Sequence, residues 1–241
     1  MATFVKHEGC PKCGSKDNLG VYDDGSAYCF GCGYTIGSKY YVPKNNTIDT
    51  TVVKLPHDCV ANLPHIAVNW LDKYGITPTE RMLYRMLWSP SKEQLIYPLY
   101  KGEELMAYQG RNFATNAHSK YKSQGKIHDL LYPLGKKQNV LILTEDLLSA
   151  IKIARQGYAM PLWGSEASTP LLMRLKGICG GILVWLDSDK WKNAHDIVNR
   201  SQSIGLKAMC VFTNLDPKEY TDENKSSRLD IINQDIRKLK K

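Results

Sequence analysis

The spacing of hydrophobic positions changes character twice along the chain. Residues 1–37 show no helical period and are rich in glycine, cysteine and aspartate. The polar run "SKYYVPKNNTIDTTVVKLP" (38–56) has a proline near each end and reads as a linker with one extended piece at Thr51–Leu55. From His57 to Trp88 the pattern turns helical. "IAVNWLDKYG" spaces apolar residues at helical intervals and stops on glycine; "TPTERMLYRML" offers Thr77 as cap, Pro78 at the first helical position and Glu80 three residues after the cap. "QLIYPLYKGEELMAYQGRNF" then reads as a hairpin turning at Lys101–Gly102, and "SKYKSQG" as a basic loop.

After Leu134 four apolar strands follow, "VLILT", "YAMPLW", "GILVWLD" and "KAMCVFT", separated by helix-length segments. That alternation predicts a parallel α/β sheet. Right-handed crossovers bring the strands' C-terminal ends to one edge, where such folds place their sites. The expected organisation is an N-terminal ribbon at 1–37, a linker at 38–56, a small α+β subdomain at 57–135 and an α/β sheet with flanking helices at 136–241.

Composition narrows the partners only slightly. At 241 residues and 43% hydrophobic the chain can bury a core. It opens with no charged-then-apolar signal pattern, and its longest apolar run, Ile178–Leu186, falls short of the roughly 20 residues a membrane span needs. A soluble, cytoplasmic protein without a membrane partner is expected. The formal charge of +8 suits nucleic acid but equally suits solvated lysines.

Chemistry concentrates in two places. "CPKCGSKDNLGVYDDGSAYCFGCG" sets Cys10, Cys13, Cys29 and Cys32 as two Cys-x-x-Cys pairs with residues 14–28 between them. Four thiolates at this spacing suit one structural Zn²⁺, and a segment this small has too little core to fold without the metal. Paired disulfides or a redox Cys-x-x-Cys explain the two pairs less well. Cys59, Cys179 and Cys210 sit in apolar surroundings and read as core. The aromatics Tyr22, Tyr28, Phe30 and Tyr34 fit either base stacking or the ribbon's own small core.

The second place is the predicted sheet edge. Glu145 follows "VLILT", Asp187 and Asp189 follow "GILVWL", and Asp216 lies just past "VFT". In an extended chain residues i and i+2 point the same way, so Asp187 and Asp189 can face one spot. Each acid alone reads as well as a helix cap or first-turn acid. Together they need compensation, because two carboxylates about 5 Å apart repel by roughly 3 kcal/mol at an effective dielectric of about 20. A proton, a basic side chain or a divalent cation would supply it, and oxygen-only ligands suit Mg²⁺ or Mn²⁺.

A strand-end glutamate followed by Asp-x-Asp at another strand end resembles the TOPRIM domain of primases and topoisomerases. With the four-cysteine ribbon ahead of it, nearly the whole chain resembles DNA primases, in particular the primase half of short-tailed-phage primase–helicases. The resemblance implies that Glu145, Asp187 and Asp189 bind the catalytic Mg²⁺, with Asp216 as a further acid. It also implies that basic residues of the preceding subdomain contact nucleotides; Arg111 in "MAYQGRNF" and Lys122 in "KYKSQG" match those regions, Lys122 with a catalytic role as well. The implied function is synthesis of short RNA primers from ribonucleoside triphosphates on single-stranded DNA, in the host cytoplasm if phage-encoded. No G-x-x-x-x-G-K-[ST] loop occurs, so the expected replicative helicase and DNA polymerase partners are separate proteins. Two differences stand out: Ser26 lies in "GSAY", where the family often has a histidine before the third cysteine, and Asp146-Leu147 follow Glu145, where relatives often have an acid two residues on. A zinc-plus-TOPRIM recombination mediator and a TOPRIM nuclease are the alternative classes.

Overall fold

The computed structural model describes residues 3–37 and 52–220. The chain divides into two compact units, Met1–Val52 and Val53–Lys241. Most of the expected linker lies outside the described residues, and Val52–Pro56 form no strand.

The first unit is a four-stranded antiparallel meander of β1 (Phe4–Glu8), β2 (Leu19–Tyr22), β3 (Ala27–Cys29) and β4 (Thr35–Ile36), paired in chain order. Its buried core is Cys10, Leu19, Ala27 and Cys29, with Val21 and Tyr34 packed against it. So little apolar area cannot hold a fold unaided, which is why cross-linking at the cysteines matters here.

In the second unit, α1 (His65–Lys73) and α2 (Pro78–Leu83) come first. The capping box expected at α2 is present: Thr77 Oγ1 accepts from the Glu80 N–H at 3.2 Å and the Thr77 N–H donates to Glu80 Oε2 at 2.8 Å. The helical spacing of residues 57–88 does not persist to its end. Arg85 adopts a left-handed φ of 50°, and Leu87–Ser89 becomes β5, paired with β6 (Gln94–Lys101). The expected hairpin of β6 with β7 (Glu104–Asn112) forms, but it turns at Gly102–Glu103, one residue later than Lys101–Gly102, because Lys101 still pairs with Glu104. Tyr121–Gln124, expected as loop, is β8, paired with β7. The sheet order is β5-β6-β7-β8.

The rest is an α/β layer: β9 (Leu134–Gly135), β10 (Val140–Thr144), α3 (Leu147–Ala154), β11 (Tyr158–Pro161), α4 (Thr169–Lys176), β12 (Gly181–Val184), α5 (Trp191–Ser203) and β13 (Lys207–Cys210). The order is β13-β12-β10-β11-β9. The four long-expected strands are parallel, and β9 adds an antiparallel edge that their pattern does not announce. Alternation along β10 splits its side chains between two cores. Val140 and Ile142 join α3, α1 and β6, whereas Leu141 and Leu143 join α4 and α5. The four-stranded sheet and the parallel layer thus share one core.

Candidate functional site

In the ribbon, each Cys-x-x-Cys pair closes a tight turn. The Gly14 N–H donates to Cys10 O and the Gly33 N–H to Cys29 O, each at 2.9 Å. Both glycines take a positive φ, 71° and 70°, which a side chain would resist. All four Sγ atoms lie within 4.8 Å of one another, and Cys10–Cys32 and Cys13–Cys29 are each separated by 3.7 Å. A tetrahedron with metal–sulfur bonds of about 2.3 Å has edges of about 3.8 Å. The quartet therefore fits a closed tetrahedral metal and is too widely spaced for disulfides. Hydrogen bonding with Ser15 holds the Cys13 thiol down at about 6.

The ribbon aromatics separate into two groups. Tyr34 packs on the core. Phe4, Tyr28 and Phe30 are exposed and chain together through His7, with Phe4–His7 at 4.9 Å, His7–Phe30 at 6.2 Å and Tyr28–Phe30 at 5.1 Å. Gly20 permits this: a Cβ there would lie 3.0 Å from the Phe30 ring.

At the sheet edge, β10 ends at Thr144 and leaves Glu145 before α3. The cap of α3 is Asp146, not Glu145, accepting from the Ser149 N–H and hydroxyl at 3.0 Å each. Glu145 is thereby left for another task. Its backbone carbonyl accepts from the Gly164 N–H at 3.0 Å, while its Oε2 is buried without a hydrogen-bond partner. Three residues past the neighbouring strand β12, Asp187 is half-buried, and its Oδ1 is likewise buried without a partner. Two buried partnerless carboxylate oxygens at adjacent strand ends are what a hard cation would satisfy.

Asp189 is placed differently from expectation. Ser188–Lys190 wind into a 3₁₀ turn, so the extended i, i+2 relation to Asp187 is lost. Asp189 points outward, 70% exposed and paired with Lys190, and it does not cap α5. Among the described residues the cysteine quartet is accordingly the one group drawn to metal-ligand spacing.

Two residues not singled out from the sequence organise this edge: Lys218 and Asp146. Lys218 Nζ donates to Asp187 Oδ2 at 2.8 Å, Asp146 Oδ2 at 3.0 Å and Asp216 Oδ2 at 3.2 Å. Its side chain is only 13% exposed. Burial alone would lower its pKa, but the surrounding carboxylates prevail and hold it well above the ordinary lysine range. Asp216 has both oxygens engaged, since Oδ1 accepts from the Ser188 N–H at 3.3 Å. Burial pushes Asp187 up to about 7 against the pull of Lys218, and burial raises Glu145 too.

Arg111 and Lys122 part company. Tyr121 pairs with Arg111 and Lys122 with Gly110, so Arg111 and Lys122 point to opposite sheet faces. The Arg111 guanidinium lies 5.2 Å from the Trp70 and Tyr121 rings and 5.7 Å from Phe113. Burial, and to a lesser degree Asp146, raises the Tyr121 hydroxyl against the pull of Arg111 and Lys218. Lys122 is exposed on the outer strand β8. Beyond Gly164 opens a cavity of about 770 Å³, lined by His128, Ser165, Lys192, Asn193 and Arg200 among others.

No family model and no curated protein matches this sequence. Solved structures do. The chain is similar to the primase fragment of the bacteriophage T7 primase-helicase protein over 98% of this chain and 99% of that one, with TM-score 0.50 and 14% identity. It is similar to the zinc-binding and RNA polymerase domains of the Aquifex aeolicus primase over 96% and 80%, with TM-score 0.60 and 14% identity. The E. coli primase catalytic core matches over 68% and 72%, with TM-score 0.53 and 14% identity. The chain has the fold of phage-type and bacterial DNA primases.

Proposed function

We propose that this protein is a DNA primase that makes short RNA primers on single-stranded DNA from ribonucleoside triphosphates. The observation that carries the reading is the pair of buried, partnerless oxygens on Glu145 and Asp187 at the strand ends of a primase fold. Glu145, Asp187 and a reoriented Asp189 would hold Mg²⁺ or Mn²⁺. When bound, the ion would supply charge stabilisation at the triphosphate and the departing pyrophosphate. Asp187 must give up its proton to ligate, and Lys218 favours that ionisation through its bond to Oδ2. Arg111 would neutralise phosphate, and Lys122 would meet the template backbone from the other face of the sheet.

The cysteine quartet would hold a structural Zn²⁺, and the exposed Phe4–His7–Phe30–Tyr28 row would stack on unpaired template bases. The organisation would then be a ribbon at 1–37, a linker at 38–56, a subdomain at 57–135 and a TOPRIM domain at 136–241. A replicative helicase and a DNA polymerase would be partners in the cytoplasm. Among the described residues no helix is long and apolar enough to cross a membrane.

The test is a template-directed assay with labelled ribonucleotides, Mg²⁺ and varied single-stranded DNA. Oligoribonucleotides should appear with wild-type protein and vanish in Asp187→Ala, with zinc content intact. DNA binding without product on any template would sink the proposal in favour of a mediator, and strand scission without synthesis would favour a nuclease.

A further inference from the structure

Lys218 Nζ sits among three carboxylates of the acidic edge, and its surroundings give it little freedom to leave. An ammonium has three N–H donors, and all three are spent on carboxylates, those of Asp146, Asp187 and Asp216. The backbone beneath is held from several sides. Pro217 and Tyr220 are buried on either side of it, and the Tyr220 ring lies 5.8 Å from that of Trp185. Lys152, itself buried in α3, donates to Lys218 O at 2.6 Å. The Asp216 N–H donates to Glu219 Oε2 at 3.2 Å, closing the turn.

Asp187 is divided between two neighbours. Its Oδ2 meets the ammonium, while its Oδ1 is buried and unmatched, as is Glu145 Oε2. One side of the cluster is therefore already neutralised and the other is not. Removing a partner from buried, hydrogen-bonded charges is costly, so a divalent ion entering this edge meets a strong preference for the unmatched side.

We infer that Lys218 is a built-in cation occupying the second metal position, so that the acidic edge takes one divalent ion, with Asp187 bridging ion and ammonium. This rests on the metal reading proposed above for Glu145, Asp187 and Asp189. It assigns Asp216 to the ammonium rather than to the ion, and makes Lys218 a positioning residue for Asp187.

The experiment is a Mn²⁺ titration of the zinc-loaded full chain, counting bound ions by the electron paramagnetic resonance of free Mn²⁺. The count of interest is the number of ions that Asp187→Asn removes. One ion is expected in wild type, and one is expected to be retained in Asp216→Asn and Lys218→Arg. Lys218→Met should take a second ion, because three carboxylates lose their compensation together. Two ions lost in Asp187→Asn, or an ion lost in Asp216→Asn, would overturn the inference while leaving the metal reading intact. No Asp187-dependent ion in wild type would overturn the metal reading itself. The Asp216→Asn arm decides the matter even if near-ultraviolet circular dichroism shows Lys218→Met to be unfolded.

Discussion

Asp187 titrates where cells live, and that makes metal binding at the sheet edge depend on pH in a calculable way. Burial raises its carboxyl to about 7, with Lys218 pulling down and Asp146 and Glu145 pushing up. Glu145 is raised by burial as well, with Lys190 and Lys218 opposing and Asp146 and Asp189 reinforcing. A cation binds the ionised form, so affinity must strengthen as pH rises. For one group of pKa about 7, the ionised fraction climbs from about one-tenth at pH 6 to about nine-tenths at pH 8, a gain of about tenfold in affinity. Glu145 can only steepen this. The linked effect on stability has the opposite sign. The folded pKa lies above the ordinary 3.8, so the folded state holds the proton more tightly than the unfolded chain does. That contribution is complete below about pH 4 and is lost as pH rises through about 7. Metal-free protein should lose thermal midpoint across this window, and Asp187→Asn should lose less. Mn²⁺ binding to the zinc-loaded chain, measured at pH 6, 7 and 8, tests the argument. Affinity that stays level from pH 6 to 8 would refute it.

Other expectations reach different parts of the molecule. Cys29→Ser should release zinc and unfold the ribbon, read by elemental analysis and by proteolysis within residues 1–37; undiminished zinc would show that the quartet is misassigned. Phe30→Ala should weaken single-stranded DNA binding by about 1–3 kcal/mol if one base stacks there, measured by fluorescence anisotropy with zinc content unchanged as the control. Arg155→Ala removes two bonds to Glu80, at 2.7 and 2.8 Å, between side chains only 24% and 13% exposed. It should cost about 2–3 kcal/mol, seen as a fall in the midpoint of thermal unfolding.

Much of the architecture is legible in the chain because it rests on short-range signals. The unbroken apolar runs in "VLILT" and "GILVWLD", the Thr77–Glu80 capping box and the cysteine spacing are each contained within a short stretch of sequence. What escaped depends on partners far apart. Lys218 acquires its place only when Asp146 and Asp187 arrive from other strand ends, and nothing in "LDPKEY" alone distinguishes it from a solvated lysine. Tyr121–Gln124 is polar enough to read as loop, yet β7 offers it an edge to pair with. The winding of Ser188–Lys190 cannot be inferred from alternation, which presumes that the strand continues through Asp189.

The adjacency of β10 and β12 has a consequence for how the edge is gauged. Glu145 and Asp187 emerge from strands hydrogen-bonded in parallel register, Leu143 opposite Val184. Neighbouring strands stand about 4.8 Å apart whatever side chains they carry. The main chain therefore serves as the ruler for these acids: counted on from that register, Glu145 falls level with Leu186, one residue short of Asp187. Insertions after α3 or in the turn before α4 could lengthen the surrounding walls without moving the two marks on it, so substrate preference can drift while the spacing of the charges is kept.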